Sequence, residues 1–63
     1  MSNKIPDILA AANQLPEIEK TILRLFFLEE KTLDEIASIL KLRRERVRQL
    51  KQKALRRIEL IKD

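Results

Sequence analysis

The feature that most constrains this chain is the complete absence of glycine from its 63 residues. Tight hairpin turns usually need a positive φ, and glycine adopts that conformation at the lowest cost. Leu, Ile, Glu, Lys, Arg and Ala dominate instead, and most of these are good helix formers. We therefore predict an all-α fold, and a length of 63 residues suits one domain, residues 1–63, with a thin core.

The composition also argues against catalysis and against membrane insertion. The chain has no cysteine and no histidine, which excludes disulfides and the common zinc sites. No glycine-rich loop is available to bind phosphate, so we expect no enzyme, no catalytic residue, no metal and no cofactor. No apolar run approaches the roughly 20 residues that span a bilayer, and no signal peptide is recognisable. We expect no membrane partner and a cytoplasmic location.

Start signals and apolar spacing predict four helices. Pro6 and Pro16 suit the first turns of two helices, because proline lacks the N–H that is unpaired there. Thr32 and Glu35 form a capping-box pattern at the start of a third helix. The predicted helices span about 6–13, 16–28, 32–40 and 44–61, the last being long.

Residues at helical spacing are expected to form the buried faces. On the second helix they are Ile18, Ile22, Leu25 and Phe26. On the third helix they are Ile36, Ala37, Ile39 and Leu40. On the fourth helix they are Val47, Leu50, Ala54, Ile58 and Ile61.

The third and fourth helices, with the brief turn between them, match a helix-turn-helix. The small Ala37 lies where the two helices would cross, and Leu42 and Val47 would help to hold them together. Lys41 occupies the turn position where glycine is common. A left-handed conformation there would cost about 1–2 kcal/mol. Many helix-turn-helix pairs never contact DNA, so this pattern alone does not establish binding.

Positive charge is concentrated in one segment. Residues 1–40 hold four basic and seven acidic residues, whereas residues 41–57 hold nine basic residues and a single acid, Glu45. Such asymmetry points to a polyanionic partner, and the charge lies on the helix that would enter a DNA groove. The alternative is a charged face that is simply solvated.

The stretch from Leu15 to Ile58 resembles region 4 of the sigma-70 superfamily of RNA polymerase sigma factors. Leu15–Pro16–Glu17 resembles the family's L-P-E-R-E start, and residues 32–37, T-L-D-E-I-A, resemble its T-L-E-E-I-A/G segment. The most specific similarity is R-E-R-V-R-Q-L at residues 44–50, followed by K-A-L-R-R at residues 53–57. We therefore expect a compact four-helix domain that contains a helix-turn-helix with a long C-terminal recognition helix.

The chain departs from the pattern of primary sigma factors at several points. The connection between the second and third helices is short, as in flagellar and other alternative members. Phe26 replaces a basic residue, and Arg43 replaces a threonine that often caps the recognition helix. No counterpart of region 2 is recognisable, so we expect the chain not to act alone as a complete sigma factor.

The resemblance implies sequence-specific binding of double-stranded DNA at the −35 promoter element. Carried over by position, Arg44, Glu45 and Gln49 would contact bases, in agreement with the affinity of Arg for guanine, Glu for cytosine and Gln for adenine. Basic residues on and beside the same helix are predicted to contact phosphates: Arg43, Arg46, Arg48, Lys51, Lys53 and Arg56. Each of these could instead be a solvated helix charge, and Arg46 or Arg57 could pair with an acid from an earlier helix.

The resemblance also implies docking on the flap of the RNA polymerase β subunit, for which anti-sigma factors would compete. We predict a protein-partner patch formed by Leu23, Phe26, Phe27 and Leu28. Core packing and self-association through this patch are the alternatives. The alternative functions are a protein-interaction module that binds RNA polymerase or an anti-sigma factor, and a dimeric helix-turn-helix regulator.

Overall fold

The computed structural model describes residues 10–61, with side chains up to residue 59. Helix α1 spans Glu17–Leu23 and continues as a π-helical segment, Arg24–Leu28. Helix α2 spans Leu33–Leu40 and helix α3 spans Arg44–Ile61. Residues 10–12 are also helical, and no strand occurs within residues 10–61. The rest of the helix predicted at about 6–13 falls largely outside the described residues. The all-α prediction is confirmed.

The π-helical segment widens the last turn before the α1–α2 connection. The Glu29 N–H donates to the Arg24 carbonyl at 3.2 Å, which is a bond between residues five apart. The Lys31 N–H then reaches back to the Leu25 carbonyl at 3.0 Å, around Glu30 at a φ of 55°. Short π-helical turns occur frequently at functional sites. Here the turn carries two phenylalanines, Phe26 and Phe27, that pack into different parts of the core.

The capping box predicted at the start of α2 is confirmed. The Thr32 hydroxyl accepts from the Glu35 N–H at 3.1 Å, and the Glu35 carboxylate accepts from the Thr32 N–H at 2.8 Å. The hydrogen bond from the Thr32 backbone N–H holds the pKa of Glu35 below its usual value. The reciprocal bonds fix where α2 begins, because they satisfy two N–H groups that the helix itself cannot.

The turn between α2 and α3 closes without glycine. Lys41 adopts the left-handed conformation, with a φ of 58° and a ψ of 43°. The Leu42 N–H donates to the Ala37 carbonyl at 2.9 Å, and the Lys41 N–H donates to the Ser38 carbonyl at 3.4 Å. These two bonds form a Schellman motif. Leu42 then packs against the cluster that contains Ile36 and Ala37, which offsets part of the cost of a left-handed lysine.

Helix α3 joins two clusters of buried side chains. Its first half contributes Val47 and Leu50 to a cluster completed by Ile22, Ile36 and Ala37. Its second half contributes to a cluster formed by Ala12, Leu15, Leu23, Ala54 and Ile58. Both halves of α3 are therefore held by packing, and the orientation of the helix is set along most of its length.

Two predicted core positions are wrong. Ile18 on α1 is 40% exposed and Ile39 on α2 is 52% exposed, because the buried face of each helix is narrower than its apolar spacing suggested. The side chain of Ile61, predicted to be buried, lies outside the described residues. Within the described part, no helix is both long and apolar enough to cross a membrane.

Candidate nucleic-acid interface

Helix α3 buries one stripe of side chains and exposes the rest. Val47, Leu50, Ala54 and Ile58 recur three or four residues apart and are nearly inaccessible to solvent. Residues at the remaining positions of a helix point away from such a stripe. Because these positions hold seven of the chain's 14 basic residues, α3 presents a cationic surface to solvent.

The three residues predicted to contact bases are all exposed. Arg44, Glu45 and Gln49 lie in the first two turns of α3, and the side chains of Arg44 and Glu45 are 68% and 62% exposed. Base contacts of helix-turn-helix proteins are concentrated at this end of the recognition helix. The fold therefore leaves all three side chains accessible to a duplex.

Glu45 is held by a neighbour on its own helix, which the sequence interpretation missed. Arg48 donates from Nε to Glu45 Oε1 at 2.9 Å, and its Nη2 pairs with the second carboxylate oxygen. This bidentate pair lowers the pKa of Glu45, chiefly through the hydrogen bond from Arg48, and raises the pKa of Arg48. The spacing of three residues could have predicted it. A carboxylate offers about four lone pairs, so Glu45 retains acceptor capacity.

Arg44 contacts an acid from the other helix of the helix-turn-helix. Its Nε lies 3.5 Å from Oδ1 of Asp34, in the first turn of α2. Asp34 was absent from the predicted site. It lies ten positions earlier in the chain, so no local spacing could have indicated the contact. The pair is solvent-exposed on both sides, with Asp34 77% exposed.

The six residues predicted to contact phosphates differ in whether their side chains already have a partner within the protein. Arg43, Arg46, Lys53 and Arg56 are exposed, and none of them is within ion-pair distance of an acid among the described residues. Arg48 is engaged by Glu45. The Lys51 ammonium lies 4.4 Å from the centre of the Phe26 ring, a cation–π arrangement.

A surface groove runs along the exposed side of α3. Its lining combines three cations, two amides and one apolar side chain: Arg46, Gln49, Leu50, Gln52, Lys53 and Arg56. Cationic and amide side chains of this kind suit phosphate oxygens and base edges. The part of the chain that the structure describes contains no cluster of acids that could hold a metal.

Arg57 pairs with an acid of α1, one of the alternatives left open by the sequence. Its Nε lies 3.7 Å from Oε1 of Glu19, whose side chain is 4% exposed. This separation is too long for a hydrogen bond, and the same Glu19 oxygen has no hydrogen-bond partner among the described residues. The interaction is therefore electrostatic, and Arg57 compensates a buried carboxylate. No acid of the described residues pairs with Arg46.

The predicted partner patch is smaller than expected. Leu23 is fully buried in the core, so its place in the patch is a wrong prediction. Phe26 and Phe27 are half-buried and meet edge to face, with ring centres 5.1 Å apart. Leu28 is 56% exposed. An exposed apolar side chain thus remains at Leu28, next in the chain to the two half-buried rings.

Comparison with known proteins identifies the family. Residues 11–59 match the model of the family described as Sigma-70, region 4. The chain is 39% identical over 57 residues to a protein named RNA polymerase sigma factor FliA from Escherichia coli (strain K12). The alignment covers 90% of this chain and 24% of that protein. Proteins of the same name from Escherichia coli O6:H1 and O157:H7 match with the same identity and coverage.

The chain spans about a quarter of the length of these curated relatives, 24%. No solved structure matches it. The matched residues include the helix-turn-helix and nearly all of α3 up to residue 59. The chain therefore belongs to the sigma-70 region 4 family of helix-turn-helix, DNA-binding transcription modules.

Proposed function

We propose that this chain binds the −35 promoter element in the major groove through the N-terminal half of α3, as a module of an RNA polymerase sigma factor. The observation that carries the proposal is the division of α3. Its buried stripe is fixed in two core clusters, while Arg44, Glu45 and Gln49 are exposed together at its N-terminal end. The proposed role is binding in the cytoplasm, without catalysis.

The chemistry of the three exposed residues fits direct readout of base edges. Arginine donates two hydrogen bonds to O6 and N7 of guanine, glutamate accepts from the cytosine amino group, and glutamine pairs with adenine. Arg44 precedes Gln49 by about one and a half turns. A helix lying in the groove would therefore present them to different base pairs.

Phosphate contacts would supply affinity that depends on salt. Four exposed cations lack an acidic partner among the described residues: Arg43, Arg46, Lys53 and Arg56. Each phosphate that is neutralised contributes about −0.9 to the slope of log K against log salt. Four contacts predict a loss of roughly 100-fold in affinity between 50 and 200 mM salt. Lys51 and Arg48 would add to this slope after leaving their present partners.

Two substitutions test the proposed base contact of Arg44 and the proposed phosphate contact of Lys53. Arg44→Ala should lose about 1–3 kcal/mol of discrimination at one base pair. Lys53→Ala should weaken binding to all duplexes alike and flatten the salt slope by about 1. The measurement is fluorescence anisotropy with duplexes selected from a random pool, and Glu59→Gln, an exposed position near the end of α3, serves as the control. Wild-type behaviour of both variants would refute the proposal.

A single small module is expected to bind DNA weakly, since it buries only about 600–1,000 Å² of protein surface. Tethering to RNA polymerase would raise its effective concentration at the promoter. We therefore propose, as part of the same function, docking on the β-subunit flap through Phe26, Phe27 and Leu28. The exposed Leu28 and the half-buried rings beside it support this role. An anti-sigma factor would compete for the same surface.

The docking surface is tested by a charge placed at its most exposed residue. Leu28→Asp should impair binding to an isolated flap fragment while leaving the fold intact, because the side chain is 56% exposed. Ile18→Asp is the matched control, an exposed apolar residue on α1 outside this surface. Equal flap binding by both variants would exclude docking through Leu28. A concentration-dependent mass in sedimentation, lost in Leu28→Asp, would instead favour the dimeric regulator.

A further inference from the structure

We infer that Asp34 is a positioning residue, which orients the Arg44 guanidinium toward its base pair. The inference rests on the proposed function, in which Arg44 reads a base. It is carried by the contact across the helix-turn-helix, where Asp34 Oδ1 lies 3.5 Å from Arg44 Nε.

The atoms of the contact explain what it does to the arginine. Nε is the inner nitrogen of the guanidinium, and it is the one that faces Asp34. The two terminal nitrogens carry four further N–H donors. They remain available for O6 and N7 of guanine, the two acceptors that a bidentate arginine contacts. Asp34 thus occupies the end of the group that a base contact through the terminal nitrogens does not need.

The two elements that carry the pair are firmly placed. Asp34 is the second residue of α2 and lies within the capping box formed by Thr32 and Glu35. Arg44 is the first residue of α3, after a turn closed by two backbone hydrogen bonds. Without a partner, an arginine at a helix start would sample many rotamers. A carboxylate carried by a fixed helix end restricts this sampling before DNA arrives, which is preorganisation.

Stability alone does not account for the pair. The side chains of Arg44 and Asp34 are 68% and 77% exposed, and exposed ion pairs contribute little to folding. Asp34 is favoured in the first turn of α2 by the helix dipole without any arginine. In DNA binding, moreover, its negative charge would repel phosphates. A carboxylate beside the proposed DNA-binding surface therefore lowers affinity for all duplexes. Any gain in specificity from Asp34 has to come through Arg44.

Removing the charge of Asp34 should therefore raise general affinity for DNA and lower discrimination between base pairs. Asp34→Asn should strengthen binding to non-cognate duplexes, because a negative charge is removed. It should reduce discrimination at the base pair read by Arg44 by about two- to fivefold, the range expected for coupling in an exposed ion pair. Asp34→Glu should retain part of that discrimination. Glu29→Gln is the matched control, since Glu29 is exposed and makes no ion pair among the described residues.

The experiment measures dissociation constants at one salt concentration for a cognate duplex and for its three single-base-pair variants at the Arg44 position. The proteins are the wild type, Arg44→Ala, Asp34→Asn, Asp34→Glu, Glu29→Gln and the double variant Arg44→Ala/Asp34→Asn. The double variant should discriminate no worse than Arg44→Ala alone, because Asp34 acts only through Arg44. Thermal unfolding of each variant confirms that the fold is retained.

The outcomes separate this inference from the proposed function. If Asp34→Asn behaved like Glu29→Gln, with affinity raised for all duplexes and discrimination kept, the inference would be overturned while the function stood. A double variant that discriminates less than Arg44→Ala would also overturn it, since Asp34 would then act on the DNA independently. If Arg44→Ala kept the base-pair preference of the wild type, Arg44 would read no base, and the inference that Asp34 positions it would be overturned. A wild type with no sequence preference would refute the proposed function itself.

Discussion

The pair between Arg57 and Glu19 is the clearest place to test how this small core is stabilised. Arg57→Met keeps an apolar stem of similar length but removes the charge opposite a carboxylate that is 4% exposed. At the observed separation of 3.7 Å, an effective dielectric constant of about 20 gives an attraction of roughly 4.5 kcal/mol. Arg57 is 42% exposed, so solvent screens its attraction to the buried carboxylate. We therefore expect a loss of about 2 kcal/mol.

This loss should be visible as a change in melting temperature. A domain of 63 residues has an unfolding entropy of roughly 130 cal/mol/K, so the melting temperature should fall by about 15 °C. Circular dichroism during heating measures it. Arg56→Met is the matched control, because Arg56 is the adjacent exposed arginine and makes no ion pair among the described residues. Its melting temperature should stay near that of the wild type.

A second substitution separates charge from packing. Glu19→Gln in the Arg57→Met background replaces the uncompensated carboxylate with a neutral amide of the same shape, and most of the lost stability should return. If the double variant were no more stable than Arg57→Met, the loss would come from the packing of the arginine stem. If Arg57→Met and Arg56→Met had the same melting temperature, the electrostatic argument would be refuted.

Three further predictions concern local features of the fold. Lys41→Gly should raise the free energy of unfolding by about 0.5–1 kcal/mol in urea titrations, because glycine adopts the left-handed turn without steric cost, whereas Lys41→Ala should give no gain. The lowered pKa of Glu35 means that its contribution to stability is complete above its ordinary value of 4.5 and is lost as pH falls through the folded-state pKa. Urea titrations across this range should therefore show a weaker pH dependence for Glu35→Gln, and an unchanged dependence would exclude the capping carboxylate as its source. A double-mutant cycle with Phe26→Leu and Lys51→Met should give a coupling of about 0.5–1 kcal/mol, and additive effects would show that the cation–π contact contributes nothing.

Features that depend on a few neighbouring residues could be predicted from the sequence. The capping box needs only Thr32 and Glu35, three positions apart, and the structure has both of its hydrogen bonds. The helix-turn-helix pattern placed Lys41 at the turn position where glycine is common, and the structure has this residue in the left-handed conformation. Helix α3 begins and ends at the predicted residues, and four of its five predicted core positions are buried in the described part. Local backbone chemistry and helical periodicity determine these features.

The candidate site was predictable in composition but not in arrangement. The sequence alone placed Arg44, Glu45 and Gln49 on one basic helix, and their exposure follows from the burial of Val47 and Leu50. The pair between Glu45 and Arg48 was missed, although two residues three positions apart on a helix are neighbours. The roles of these residues in binding DNA remain predictions.

Only the tertiary structure decided which side chains meet across helices. Asp34 reaches Arg44 because the turn brings the start of α2 beside the start of α3, and Glu19 reaches Arg57 because α1 packs against the far end of α3. The same packing buries Leu23, which was predicted for the partner patch, and leaves Ile39, which was predicted for the core, 52% exposed. Periodicity gives the direction of a helix's apolar side, but the width of the buried strip depends on the shapes of the helices that cover it.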